Sequence, residues 1–185
     1  MPDPSRPSNL RAGTVVLGDM LRNQLDRGFE EFAAARMSSL LRTAVFLTGD
    51  RGKAEDLLQT ALLRTARRWR TVRDQPDAYV RKVLVNLTRD EWRSSRRRPV
   101  EVRLTDEQPV ASPRDPAADL GEREELLAAL RQLPPRQRTA VTLRFWEGLS
   151  ITETAALMEC TEGTVKSTTS RGLAQLATIL QSETT

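Results

Sequence analysis

Asn86, Arg89 and Arg93 recur at spacings of three and four within the stretch Ala78–Arg98, AYVRKVLVNLTRDEWRSSRRR. Arg81, Lys82, Arg96, Arg97 and Arg98 surround them, and Trp92 lies among the charges. Guanidinium and ammonium groups neutralise phosphates, an indole stacks on a base, and an amide reads a base edge. The set therefore suits single-stranded or unpaired DNA. At helical spacing Val80, Val83, Leu84 and Leu87 form the opposite, apolar face. Such a helix rests on a small core by one side and offers the other to a polyanion. A solvated basic helix with no ligand has the same local pattern. A helix lying on a membrane would need a bulkier apolar face than this one has.

Other chemistry is poorly supplied. The 185 residues include no His and a single Cys, Cys160, so nucleophile–His catalysis lacks its base and an internal disulfide lacks a partner. Soft metal ligands are too few for a zinc or di-metal site, and neither a metal nor a cofactor is expected. With no run of membrane-spanning length and no apolar leader, the chain reads as a cytoplasmic protein without membrane insertion. An enzyme is the least favoured class, because acid, base, metal and phosphate-loop groups do not converge.

Charge locates the polyanion site further. The net charge of +4 is modest, but residues 51–98 carry 14 basic against 6 acidic groups, residues 99–120 carry 2 against 5, and residues 121–185 carry 7 against 8. The positive charge thus belongs to one segment.

The elements that must position these residues are helical. Leu, Ala, Arg and Glu dominate, and Val, Ile, Tyr and Phe do not alternate, so the expectation is an all-α chain. Residues 1–27, rich in Pro, Ser and Arg, read as a disordered extension. A first helix is expected from about Phe29 through Leu47, broken by Gly49 and Gly52. A second, Lys53–Arg70, buries Leu57, Leu58, Ala61, Leu62, Thr65 and Trp69. After a loop over Thr71–Asp77 the basic helix completes a small domain over residues 28–98. Residues 99–120, with Pro99, Pro109, Pro113 and Pro116 and an acidic balance, read as an extended linker.

A second small helical domain is expected over residues 121–182. Leu126, Leu127, Leu130 and Leu133 precede Pro134-Pro135, which opens a helix to Trp146. Ser150-Ile151-Thr152-Glu153 is a capping box starting the next helix, and a turn at Glu159–Thr161 precedes another. That last helix is expected to bury Val165, Leu173, Leu176 and Leu180, and to present Thr164, Lys166, Ser167, Ser170 and Arg171. Helix, tight turn and capped helix is the helix-turn-helix pattern, which also occurs in bundles with no nucleic-acid role. Trp69 and Trp146 are expected as core anchors, and Cys160 as a small buried residue in the corner of the motif.

With both segments in view, the chain resembles a known family. KAEDLLQTALLRTARRW followed by AYVRKVLVNLTRDEWRSSRRR is similar to the polymerase-binding and promoter-melting region of extracytoplasmic-function sigma factors, in the sigma-70 superfamily. LPPRQRTAVTLRFWEGLSITETAALMECTEGTVKSTTSRGLAQL resembles their C-terminal promoter-binding domain. The resemblance spans roughly residues 28–180, and the Thr164–Arg171 run is most similar to an actinobacterial, SigE-like subgroup.

The resemblance implies an initiation factor that directs core RNA polymerase to promoters. It assigns Glu55, Asp56, Leu57, Gln59 and Thr60 to the clamp of the largest polymerase subunit, with the flap region as a second polymerase contact. It assigns Arg70, Arg73, Asn86, Arg89, Trp92 and Arg93 to the melted minus-ten element. Thr164, Lys166, Ser167, Ser170 and Arg171 would read the minus-thirty-five duplex, with Arg136 and Arg138 on its phosphates. An anti-sigma factor is a further partner the family allows. Where many members carry Arg and His, this chain has Thr168 and Ser170, so its recognition helix is poor in charge. A stand-alone helix-turn-helix regulator is the alternative reading, and a polymerase-binding protein without promoter specificity is another.

Overall fold

The protein, analysed as a computed structural model, is described over residues 27–97 and 120–183, and the expected N-terminal extension and linker fall outside them except for their last residues, Arg27 and Leu120, which begin helices. Every regular element in the described residues is helical. Helix α1 spans Arg27–Thr48. It stops at Gly49, whose φ of 73° is the left-handed conformation that ends helices and favours glycine. Asp50 then caps α2 (Arg51–Arg67) by accepting a 2.8 Å bond from the Lys53 amide. The predicted loop over Thr71–Asp77 is shorter than expected, because Trp69–Val72 forms a single turn, α3. Pro76 opens α4 (Pro76–Arg97), where its missing N–H costs nothing.

Leu40, Ala44 and Leu47 of α1, Ala54, Leu58 and Ala61 of α2, and Val80, Val83 and Leu84 of α4 form the core of this first unit. As expected, Trp69 is buried. It closes one end of the bundle against the rings of Phe29 and Phe32, each with its centroid 5.6 Å away. Arg36 ties α1 to the start of α4 through a two-pronged pair with Asp77, at 2.9 and 3.0 Å.

The second unit comprises α5 (Leu120–Gln132), α6 (Pro135–Val141), α7 (Ile151–Met158) and α8 (Glu162–Glu183). The helix predicted to run to Trp146 changes pitch on the way: Thr142–Trp146 is a π turn, closed by the Glu147 amide bonding to the Thr142 carbonyl at 3.0 Å. The wider turn leaves Phe145 and Trp146 facing outward. Trp146, expected in the core, is 46% exposed, with the Phe46 ring edge-on at 4.6 Å between centroids and the Arg42 guanidinium 5.9 Å from its ring centroid. The capping box is present as predicted, with Ser150 and Glu153 bonded reciprocally. Val165 is buried, whereas Leu173 is exposed instead of buried, and Cys160 is half-buried against the core. Gly172 lets α8 approach α6: a Cβ there would lie 2.8 Å from the Val141 side chain.

The two units share their apolar interior. Ala140, Leu143 and Met158 join the core of the first unit, and Phe46 joins Leu130, Leu133 and Val141 of the second.

Candidate nucleic-acid interface

Helix α4 packs on the core through its valines and Leu84, which fixes the rotation of its other side. Asn86, Arg89 and Trp92 are half-buried and Arg93 is exposed, so the stripe opens progressively toward the C-terminal end of the helix. Arg70 and Arg73 are exposed at α3 and the turn after it. Among the described residues the Asn86 side chain has no hydrogen-bond partner, which leaves its amide available to a ligand.

Beside this stripe lies a cleft of about 210 Å³ between α4 and the second unit. Arg89, Trp92 and Arg93 line one wall and Arg136, Met158 and Glu159 the other. Arg89 bonds to Glu159 through both terminal nitrogens, at 2.6 and 3.2 Å, while its Nε is buried without a partner. The contact raises the Arg89 pKa further, and it holds the Glu159 carboxyl below its ordinary value, Arg89 being the main cause for Glu159.

A second face is built on α2. Glu55, Asp56 and Gln59 are exposed, Leu57 and Thr60 half-buried, and Leu63, one turn on, is an exposed leucine at 55%. Acidic and amide groups around an exposed leucine suit a protein surface better than a nucleic acid. The sequence places Leu63 on the exposed side of this helix with Glu55, Asp56, Gln59 and Thr60, and the structure has it there. Glu55 is already bonded to Arg51, at 3.0 Å.

The third face is α8. Lys166, Ser167, Ser170 and Arg171 are exposed along it, with Thr164 half-buried at its start. Thr161 accepts a 3.2 Å bond from the Thr164 amide and so caps the helix, as predicted. Thr168 is buried, and the helix meets solvent with one lysine and one arginine.

Arg136 is exposed. Arg138, expected on the phosphates, is 9% exposed and lies at the junction of the two units. Its Nε donates to the Leu47 carbonyl at 3.0 Å, and Arg131 donates to the Gly49 carbonyl at 2.6 Å. Both therefore satisfy carbonyls at the C-terminal end of α1, where positive charge is favoured. Burial lowers the Arg138 pKa from its ordinary value. Glu147, Arg81, Arg131 and Glu159, which join the units, were not read as a site from the sequence, since their partners lie far along the chain.

Among the described residues, no group of three or more His, Cys, Asp and Glu side chains is placed to hold a metal, and no helix is long and apolar enough to cross a membrane. The geometry is that of an all-helical protein in which α4 presents a basic, partly exposed face. Residues 33–98 match the family Sigma-70 region 2, and residues 123–176 match Sigma-70, region 4. RNA polymerase sigma-E factor of Streptomyces coelicolor is 43% identical over 80% of this chain and 83% of its own length. ECF RNA polymerase sigma factor EcfG of Rhodopseudomonas palustris is 32% identical over 79% of this chain and 81% of its own length. A solved structure of the sigma factor RpoE from Bartonella quintana, in complex with the anti-sigma factor NepR, superposes with a TM-score of 0.65 at 26% identity, covering 84% of this chain and 98% of that one. The chain belongs to the extracytoplasmic-function sigma factors of the sigma-70 family, the RNA polymerase initiation factors.

Proposed function

We propose that the two units divide promoter recognition between them. Asp56 and Gln59, with Glu55, Leu57, Thr60 and the exposed Leu63, dock on the clamp of the largest polymerase subunit, while the C-terminal unit reaches the flap region. Arg70, Arg73, Asn86, Arg89, Trp92 and Arg93 hold the melted minus-ten strand. Opening a base from its stack costs a few kcal/mol, which a stacking indole beside phosphate-neutralising guanidiniums offsets. Thr164, Lys166, Ser167, Ser170 and Arg171 lie in the major groove of the minus-thirty-five element, and Arg136 contacts its backbone. The chain itself performs no bond chemistry. It works in the cytoplasm on promoter DNA with core polymerase, and an anti-sigma factor is a natural regulator, as for the Bartonella protein.

One observation supports this reading: the basic helix α4 and the helix-turn-helix that ends in α8 occur in one chain, in the order of sigma regions 2 and 4. The test is co-elution of the full chain with core RNA polymerase, with Asp56→Arg as the control. Binding by the wild type and its loss in the variant is the expected result. Duplex DNA binding without any polymerase binding would instead make the protein a stand-alone regulator.

A further inference from the structure

The cleft between α4 and the second unit has a one-sided chemistry. Arg89 and Arg93 of α4 and Arg136 of α6 line it, and Glu159 is the only carboxylate in the lining among the described residues. That carboxylate is already taken by both terminal nitrogens of Arg89. Neither Arg93 nor Arg136 has an ion pair or hydrogen bond to its side chain among the described residues, and both are exposed. The two hydroxyls in the lining spend their protons within their own helices, Thr88 on the Leu84 carbonyl and Thr139 on the Pro135 carbonyl, each at 2.9 Å.

Arg89 also has a donor to spare. Its Nε is buried and meets no acceptor. Buried donors are nearly always matched in native proteins, so an unmatched one on a cleft wall marks a place where an acceptor belongs. A cation entering here would find its one carboxylate engaged, whereas an anion would find three guanidiniums.

The remaining lining is apolar. Val85 and Met158 are buried beneath the cleft, with Trp92 and Pro135 beside them. A thioether and an indole both make favourable contacts with an aromatic ring. A cavity of about 150 Å³ holds one benzene ring. The cleft, at about 210 Å³, has room for one such ring and a small charged group. Guanidiniums take carboxylate or phosphate oxygens in a two-pronged manner, and clefts between packed units are common places for small ligands.

We propose that this cleft is a binding site for a small aromatic anion, a single ring bearing a carboxylate or a phosphate. The ring lies among Trp92, Val85 and Met158, and Arg93 and Arg136 hold the anionic group. Arg89 Nε supplies the inner donor. The site stands on the cleft's own residues and does not depend on the assignment of any promoter contact.

The experiment titrates the full chain, without polymerase or DNA, by isothermal titration calorimetry. The probes are phenyl phosphate, benzoate, inorganic phosphate and benzyl alcohol. One of the two aryl anions should bind once per chain, with a dissociation constant on the order of 1 mM or below. It should bind about tenfold tighter than inorganic phosphate, which lacks the ring, and than benzyl alcohol, which lacks the charge. The tighter of the two identifies the group that the arginines select. Arg93→Gln and Arg136→Gln should each weaken it by about three- to fivefold, with unchanged melting temperature. In a nitrogen–proton correlation spectrum the Trp92 indole signal, assigned with Trp92→Phe, should move as the aryl anion is added. No binding of either aryl anion up to about 10 mM overturns the proposal, as does binding no tighter than that of inorganic phosphate. Equal binding of benzyl alcohol overturns the anionic class. Binding that leaves the Trp92 signal in place and is unaltered in both arginine variants overturns the site, because the anion then sits elsewhere on the basic surface.

Discussion

Replacing Arg138 by Met should weaken the closed protein by about 2 kcal/mol without touching the DNA faces. The guanidinium donates to the Leu47 carbonyl at 3.0 Å from a position 9% exposed, and Leu47 lies in the last turn of α1, whose carbonyls lack helical partners. A hydrogen bond to a charged group contributes roughly 1.5–3 kcal/mol, and a cation at a helix C-terminus up to about 2 kcal/mol in partly buried geometry. These are two views of one contact and do not add. Burying the guanidinium costs free energy, consistent with its lowered pKa, and this brings the expected net loss to about 2 kcal/mol. Methionine keeps the length and apolar stem, so little cavity forms. The assay is urea unfolding of the full chain followed by circular dichroism, with a matching thermal scan. A shift of roughly 4–8 °C is expected for a chain of this size, or a split into two transitions as the units uncouple. Duplex DNA binding by the same variant should keep its salt dependence. A stability loss below about 0.5 kcal/mol, or a salt slope reduced by about one, would refute the structural role and return Arg138 to the phosphate contacts.

Arg136→Ala, by contrast, should lower that salt slope by about one while leaving the unfolding midpoint unchanged, as measured by duplex titration over a series of salt concentrations. Asn86→Ala should leave co-elution with core polymerase intact and impair promoter opening, read by permanganate reactivity of unpaired thymines; normal opening would remove Asn86 from the minus-ten contacts. Ser150, through its hydroxyl and backbone, holds the Glu153 carboxyl below its ordinary value. The capping box therefore stabilises α7 fully above the ordinary carboxylate pKa, and that stability is lost as pH falls through the lowered one. Glu153→Gln should flatten the acid side of a melting-temperature profile, and an identical profile would show that the box contributes nothing. Gly172→Ala should destabilise by about 1–3 kcal/mol, because its methyl would lie 2.8 Å from the Val141 side chain and force α6 and α8 apart. Thermal unfolding checks this, and an unchanged midpoint would mean the helices yield freely.

What the sequence disclosed was local. The capping box is a four-residue pattern with its own hydrogen bonds, Gly49 marks a left-handed stop, and the apolar spacing of Val80, Val83 and Leu84 sets which side of α4 is buried. Each is decided by neighbours within a turn or two. The features that escaped it depend on distant residues. Arg138 follows Arg136 just after a Pro-Pro opening and looks like a phosphate ligand until α1 is brought against it. Trp146 has the composition of a core anchor, but the π turn at Thr142–Trp146 rotates it outward, and no motif announced that turn. Glu159 reads as an ordinary helix-end residue, and only the fold places it on Arg89, 70 positions earlier in the chain. The sequence thus located the faces that the structure leaves exposed on α2, α4 and α8, and the contacts between the two units had to come from the structure.

The most direct measurement is transcription by core RNA polymerase with and without the full chain, on a library of genomic DNA fragments, with transcript ends mapped. The expected result is a set of start sites that require the chain, that share two upstream elements, and that vanish with Asp56→Arg. Transcripts unchanged by adding the chain, while the chain still binds duplex DNA alone, would contradict its role as a promoter-specific sigma factor.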